Sequence, residues 1–156
     1  MAWTELWFGR HEGETLPQVV FHDPDYFFWA IEDGVFENKW MLKEEAEEIY
    51  QKATSIRIPV RGAEELVAEY GIHPRVRGCV GLDLVPKSRP EHQGSTQTVR
   101  KPVIDMSFPR RVAHYDKSGY RHFVSSLKFH LFGDSNCPLT KQRCEAFFDD
   151  PGNFVP

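Results

Sequence analysis

Cysteine is scarce in this sequence: Cys79, Cys137 and Cys144 are the only three among 156 residues. An odd, small number cannot build a disulfide framework, which fits a chain held together by its core in a reducing compartment. No run of about 18 apolar residues is present, and the N-terminus has no basic region leading into an apolar stretch and a small-residue cleavage site. The chain is therefore expected to be neither membrane-spanning nor secreted, and to be cytoplasmic. No serine or cysteine sits in a nucleophile elbow, and no glycine-rich loop has the spacing of a nucleotide site. Internal repeats and low-complexity tracts are lacking too, which excludes solenoids and disordered arrays.

Large apolar side chains are plentiful. Hydrophobic residues make up 40% and aromatics 13%, including twelve Phe and four Trp, enough to offset the ordering entropy of a folded chain. The net charge of −4 is unevenly spread: residues 1–56 carry four basic and twelve acidic side chains, and residues 57–156 carry fifteen basic and eleven acidic ones. An acidic first third joined to a basic remainder predicts either two faces with different partners or two parts that attract each other.

The local signals divide the chain near residue 55. Glu5–Phe8 reads as a short strand stopped by the turn Gly9–Gly13. Thr15 and Gln18 form a capping box with Pro17 in the first turn, predicting a helix over 16–21. Asp23 caps a second helix with Pro24 at its first position and Gly34 as its stop. In a third, Leu42, Ala46, Ile49, Tyr50 and Ala53 form the apolar face while Glu44, Glu45, Glu47 and Glu48 face solvent. The four Trp (Trp3, Trp7, Trp29 and Trp40) are expected to form the core of this first part.

Beyond the boundary, Ile56, Ile58 and Val60 alternate as an edge strand, and Ala63–Tyr70 is compatible with a helix closed by Gly71. Val80, Leu82 and Leu84 predict a strand, and so do Ile104, Met106 and Phe108, with a long polar loop over 86–98 between them. A helical period runs through Tyr120, Phe123, Val124, Leu127 and Leu131 to Gly133, and another helix fits 138–148. The expected fold class is α+β: a small strand-turn-helix N-terminal module, residues 1–55, packed on an antiparallel sheet with helices, residues 56–156.

The run Phe8-Gly-Arg-His-Glu-Gly-Glu-Thr-Leu16, with Val19 and then Asp23-Pro-Asp-Tyr-Phe-Phe-Trp29, resembles the C-terminal accessory module of exodeoxyribonuclease X-like proteins. That family carries a Phe-Gly-Lys-x-x-Gly-Lys-x-Leu turn followed by an Asp-Pro-x-Tyr-x-x-Trp helix. The resemblance covers about a third of the chain, and residues 56–156 match no named family. It implies an accessory, non-catalytic role beside DNA-processing proteins of bacteria or phage. The family's turn is typically basic, whereas Glu12 and Glu14 stand in this one, leaving Arg10 and His11 as its phosphate contacts; two carboxylates there oppose direct contact with nucleic acid.

The expected function is thus a binding protein of DNA metabolism that contacts DNA or RNA through Arg10, His11 and the basic strand ends: Arg75, Arg77, Arg100, Lys101, Arg110 and Arg111. Lys87 and Arg89 extend that set, with Tyr115, Tyr120 and His122 placed to stack on bases. The alternative is a protein partner engaged by the acidic face, with Glu12, Glu14, Glu44 and Glu48 as its residues and Glu45 and Glu47 beside them. A second alternative is a metal-dependent nuclease or hydrolase, with Asp83 and Asp105 on adjacent strands and Glu91 or His114 nearby. Cys137, Cys144, His122 and His130 supply ligand types that zinc prefers, but their spacing fits no finger. No catalytic residue and no cofactor or metal is assigned from the sequence.

Overall fold

The computed structural model describes residues 2–73, 78–90, 97–112 and 117–156. The first third is built as its caps dictate. α1 (Leu16–His22) opens on the Thr15–Gln18 capping box, and α2 (Pro24–Glu32) opens on Asp23, whose side chain accepts from the Tyr26 amide. α3 (Trp40–Ala53) buries Leu42, Ala46, Ile49 and Ala53, the stripe expected at helical spacing. Ahead of α1, Glu5 and Thr15 form only an isolated bridge, so the short strand at 5–8 does not materialise.

In the second part the strands lie elsewhere than expected. β1 (Leu66–His73) falls where a helix was compatible; it is the central strand, pairing antiparallel with β2 (Gly78–Pro86) on one side and β3 (Gln97–Lys101) on the other. Tyr70 at its middle is fully buried, and cross-strand packing of this kind decides strand formation over weak helical preference. β3 occupies the end of the polar stretch assigned to a loop. The alternation Ile104, Met106, Phe108 is not a strand: Ile104 makes one isolated bridge to Ile56, and α4 (Phe108–Val112) starts directly after. All three side chains are nonetheless buried. Ile56 likewise makes isolated bridges only, to Ile104 and Phe154, and Ile58–Val60 is not a strand.

α5 (Lys117–Phe132) ends at Gly133, as expected, and lies across β2. The approach is close at Gly81, with φ +140°, where an added Cβ would stand 3.3 Å from Ser126 Oγ. α6 (Lys141–Asp149) is capped by Thr140 and runs into a single 3-10 turn, Pro151–Asn153. Six helices and a three-stranded antiparallel sheet make the described fold α+β, and no helix among the described residues is long and apolar enough to cross a membrane.

One buried cluster runs through both parts of the chain, from Trp3, Leu16 and Phe27 to Tyr70, Phe123 and Phe148. The first third and the C-terminal end share an aromatic stack: Phe21 lies 5.5 Å from both Phe147 and Phe148, and Phe148 stacks on Phe154 at 5.5 Å. At the composition boundary, Ile56 exchanges backbone hydrogen bonds with Ile104, Arg57 N donates to Asn153 O, and Val155 N donates to Ser55 O. Three distant stretches of chain meet at that seam.

Candidate functional site

The turn that carries the resemblance is shaped by Gly9 and Gly13, both at positive φ of +76° and +89°, a conformation that costs glycine little. It brings His11 between two carboxylates. Nδ1 lies 2.6 Å from Glu14 Oε2 and Nε2 lies 3.0 Å from Asp23 Oδ2. The second oxygen of Glu14 faces His22 Nδ1 at 2.7 Å, and His22 Nε2 lies 2.8 Å from the Leu139 carbonyl. His11 is buried, and its ring packs edge-on to Tyr26 at 4.8 Å. Burial pushes the Glu14 and Asp23 carboxyls up, but hydrogen bonds from the histidines, and for Asp23 from the Tyr26 amide, outweigh it and leave both below their ordinary values. This part of the turn is an internal brace that ties it to the N-terminus of α2.

Arg10, unlike His11, is exposed. It pairs with Asp23 at 3.1 Å and lies 5.3 Å over the Tyr26 ring. The basic strand ends are likewise occupied. Arg100 pairs with Glu69 across β1 and β3 at 2.8 Å and donates to the Arg89 and Pro90 carbonyls. Lys101 and Arg111 converge on Asp105 Oδ2 at 3.1 and 2.7 Å. Arg110 reaches from α4 to Asp25 at 2.6 Å and Glu32 at 3.0 Å on α2; the Glu32 hydrogen bond, against a desolvation cost, raises its already high pKa. Of these cations, only the Arg10 and Arg111 side chains are more than half exposed. Tyr120 is buried, donates to Met106 O, accepts from Arg110 N, and has its phenol pushed well up by burial. It holds α4 in place, and His122 is exposed on α5. Arg75, Arg77, Glu91, His114 and Tyr115 lie outside the described residues.

Asp105 takes the Ser107 amide and hydroxyl on Oδ1 at 2.9 and 2.6 Å, and the two cations on Oδ2. A carboxylate so filled has no lone pair free for a metal. Asp83 is exposed on β2, accepts from the Leu84 amide at 2.9 Å and lies 3.8 Å from His130 Nε2. Among the described residues no group of three or more His, Cys, Asp or Glu is arranged to hold a metal ion. Cys144 is buried as a free thiol, and burial pushes its pKa up to about 12, so it is a poor nucleophile.

On the acidic side, Glu14 is committed to the histidines and Glu48 lies 3.7 Å from Lys52. Glu45 does not face solvent: it is buried, and Oε1 accepts the Thr4 amide at 2.8 Å, fixing the N-terminal segment to α3. Glu12, Glu44 and Glu47 are exposed.

The feature that the sequence reading misplaced is the tryptophans. Only Trp3 is in the core, where its indole N–H donates to Asp149 at 3.0 Å. Trp7, Trp29 and Trp40 are 56%, 41% and 73% exposed. Trp40 begins α3, with Met41, 47% exposed, beside it. Lys39, the residue before, sits 4.7 Å over the Phe8 ring, and Trp7 packs on Phe8 at 5.5 Å. Phe8 thus joins Trp7 to Lys39, the residue that precedes α3. At helical spacing Trp40, Glu44, Glu47 and Gln51 share one outward stripe, opposite the buried Leu42 and Ile49. That spacing could have placed Trp40 outward from the sequence, whereas Trp7 lies outside any helix or strand and has no period to assign its face.

Comparison with protein-family models, curated proteins and solved structures finds no match to this chain.

Proposed function

We propose that this chain is a non-catalytic binding protein whose working surface is the outward face of α3, and that the partner is a protein presenting basic and apolar side chains. The bare Trp40–Met41 pair, flanked by the exposed Glu44 and Glu47, carries this reading. Exposed tryptophans are costly to leave in water and recur as anchors at protein interfaces, with charge around them selecting the partner. The cations proposed from sequence to meet phosphate favour the same reading, because Arg100, Lys101, Arg110 and Arg111 already have carboxylate partners. The DNA-processing setting implied by the resemblance is retained within this proposal, with the chain docking on a protein of such an assembly.

The test is cross-linking mass spectrometry in cells producing this protein, comparing the native sequence with Trp40→Ala and Glu44→Lys. Both positions are exposed, so either change is expected to alter stability by no more than about 0.5 kcal/mol. Loss of the same cross-linked protein in both variants supports the reading; cross-links that persist in both sink it.

One arrangement favours a second reading, contact with single-stranded nucleic acid. The Arg10 guanidinium lies over Tyr26, whose ring is 5.7 Å from the exposed Trp29, a cation beside aromatic faces on which bases can stack. Fluorescence anisotropy with labelled single-stranded DNA separates the two. Binding that falls steeply with salt and is lost in Trp29→Ala supports the second reading, and no binding at low salt removes it.

A further inference from the structure

A groove of about 690 Å³ opens between the Arg57–Val60 segment, the end of α5 and α6. Its volume falls within the range of small-molecule pockets, about 300–1,000 Å³. Ile58, Pro59, Leu131, Phe132 and Phe147 give it apolar walls, and Val60 on its rim is 88% exposed. Two cations share the lining, Arg57 and Arg143. Backbone carbonyls position both: Arg57 donates to Gly152 O at 3.2 Å and Phe154 O at 3.1 Å, and Arg143 donates to Pro138 O at 3.3 Å with its guanidinium 5.4 Å over the Phe132 ring.

Among the described residues neither guanidinium has a carboxylate at ion-pair distance, whereas Arg10, Arg100, Arg110 and Arg111 each do. Two positive charges held beside an apolar wall, without a carboxylate partner, select for an anion with an apolar body. The α6 N-terminus adds little, since Thr140 already caps it by accepting from the Arg143 amide. Thr140, Gln142 and Asn153 also line the groove, and the apolar stretch along Phe132 and Phe147 favours an anion that carries a hydrocarbon chain over a bare phosphate.

From this geometry we propose that the groove binds an aliphatic monocarboxylate of medium chain length, its chain along Phe132 and Phe147 and its carboxylate between Arg57 and Arg143. The site is separate from the α3 surface and independent of what that surface binds.

Amide chemical-shift mapping of the labelled protein with sodium decanoate, below its micelle concentration, tests the proposal against decanol and decyltrimethylammonium. Decanoate is expected to shift resonances at 57–60, 131–132 and 140–147, and to bind more tightly than either probe. Arg143→Gln is expected to weaken decanoate about tenfold, the scale of one charge-assisted hydrogen bond, with decanol unchanged. Ala146→Phe, at an exposed position on α6, fills the groove and is expected to weaken both. Equal binding of decanol, no shifts in these segments, or an Arg143→Gln variant with native decanoate affinity would overturn it.

Discussion

His130 and the Glu14–Asp23 pair respond to acid in the same direction for different reasons. The His130 side chain is 7% exposed, its Nδ1 has no hydrogen-bond partner among the described residues, and burial, then the charge of Arg61, holds its pKa below the ordinary value of 6.5. The unfolded chain therefore takes up that proton first as pH falls below about 6.5, and stability drops with it. Glu14 and Asp23 are held below their ordinary values of 4.5 and 3.8, so their contribution is present above those values and is lost as pH falls through the lower folded ones. Urea midpoints measured across pH are expected to fall in two steps. His130→Gln should remove the upper step and leave the lower one, while Glu14→Gln should flatten the lower one alone; a native pH profile in His130→Gln would contradict the first assignment.

Among the elements, α4 is the least self-sufficient. Five residues cannot hold a helix in water, and this one is held by the pairing of its Arg110 with Asp25 and Glu32 of α2, by Tyr120 of α5 and by the Asp105 cluster before it. Asp105→Asn keeps the shape of that cluster but leaves Lys101 and Arg111 facing an uncharged amide. The expected loss is about 2–4 kcal/mol, somewhat under the usual cost of breaking a buried pair because both cations are partly solvated. Chemical denaturation of the variant checks it, and a change under about 0.5 kcal/mol would make the cluster incidental.

Which elements could be read from sequence follows from how local their causes are. α1, α2 and the end of α5 were legible because Thr15, Asp23, Pro24 and Gly133 act within one turn of themselves. β1 was not, because Leu66–Gly71 becomes a strand through pairing with residues up to about thirty positions away. At the candidate site, the charged residues could be named but their commitments could not. Arg110 meets Asp25 and Glu32 across some eighty positions, and Glu45 turns inward to Thr4 across forty-one.

At the scale of the whole molecule, the acidic first third and the basic remainder attract each other in part. Arg110 with Asp25 and Glu32, and Lys141 with Glu5, cross between them, but the shared core of Phe21, Phe147, Phe148 and Phe154 matters more. A continuous core predicts one cooperative transition. Thermal unfolding followed by tryptophan fluorescence, which reports mainly on residues 3–40, is expected to coincide with far-ultraviolet circular dichroism of the whole chain. Phe148→Ala is expected to move both midpoints together, at a cost of about 3–5 kcal/mol; separated transitions would show two independent units.

The seam at Ile56, where Ser55 and Arg57 join residues 153–155, constrains the order of events during synthesis. Translation at about 5–20 residues per second leaves α1 and α3 made for several seconds before α6 and residues 153–155 exist. During that interval Phe21 lacks Phe132, Phe147 and Phe148, and Ile56 lacks Phe154, so the nascent chain exposes apolar surface of the kind that holding chaperones cover.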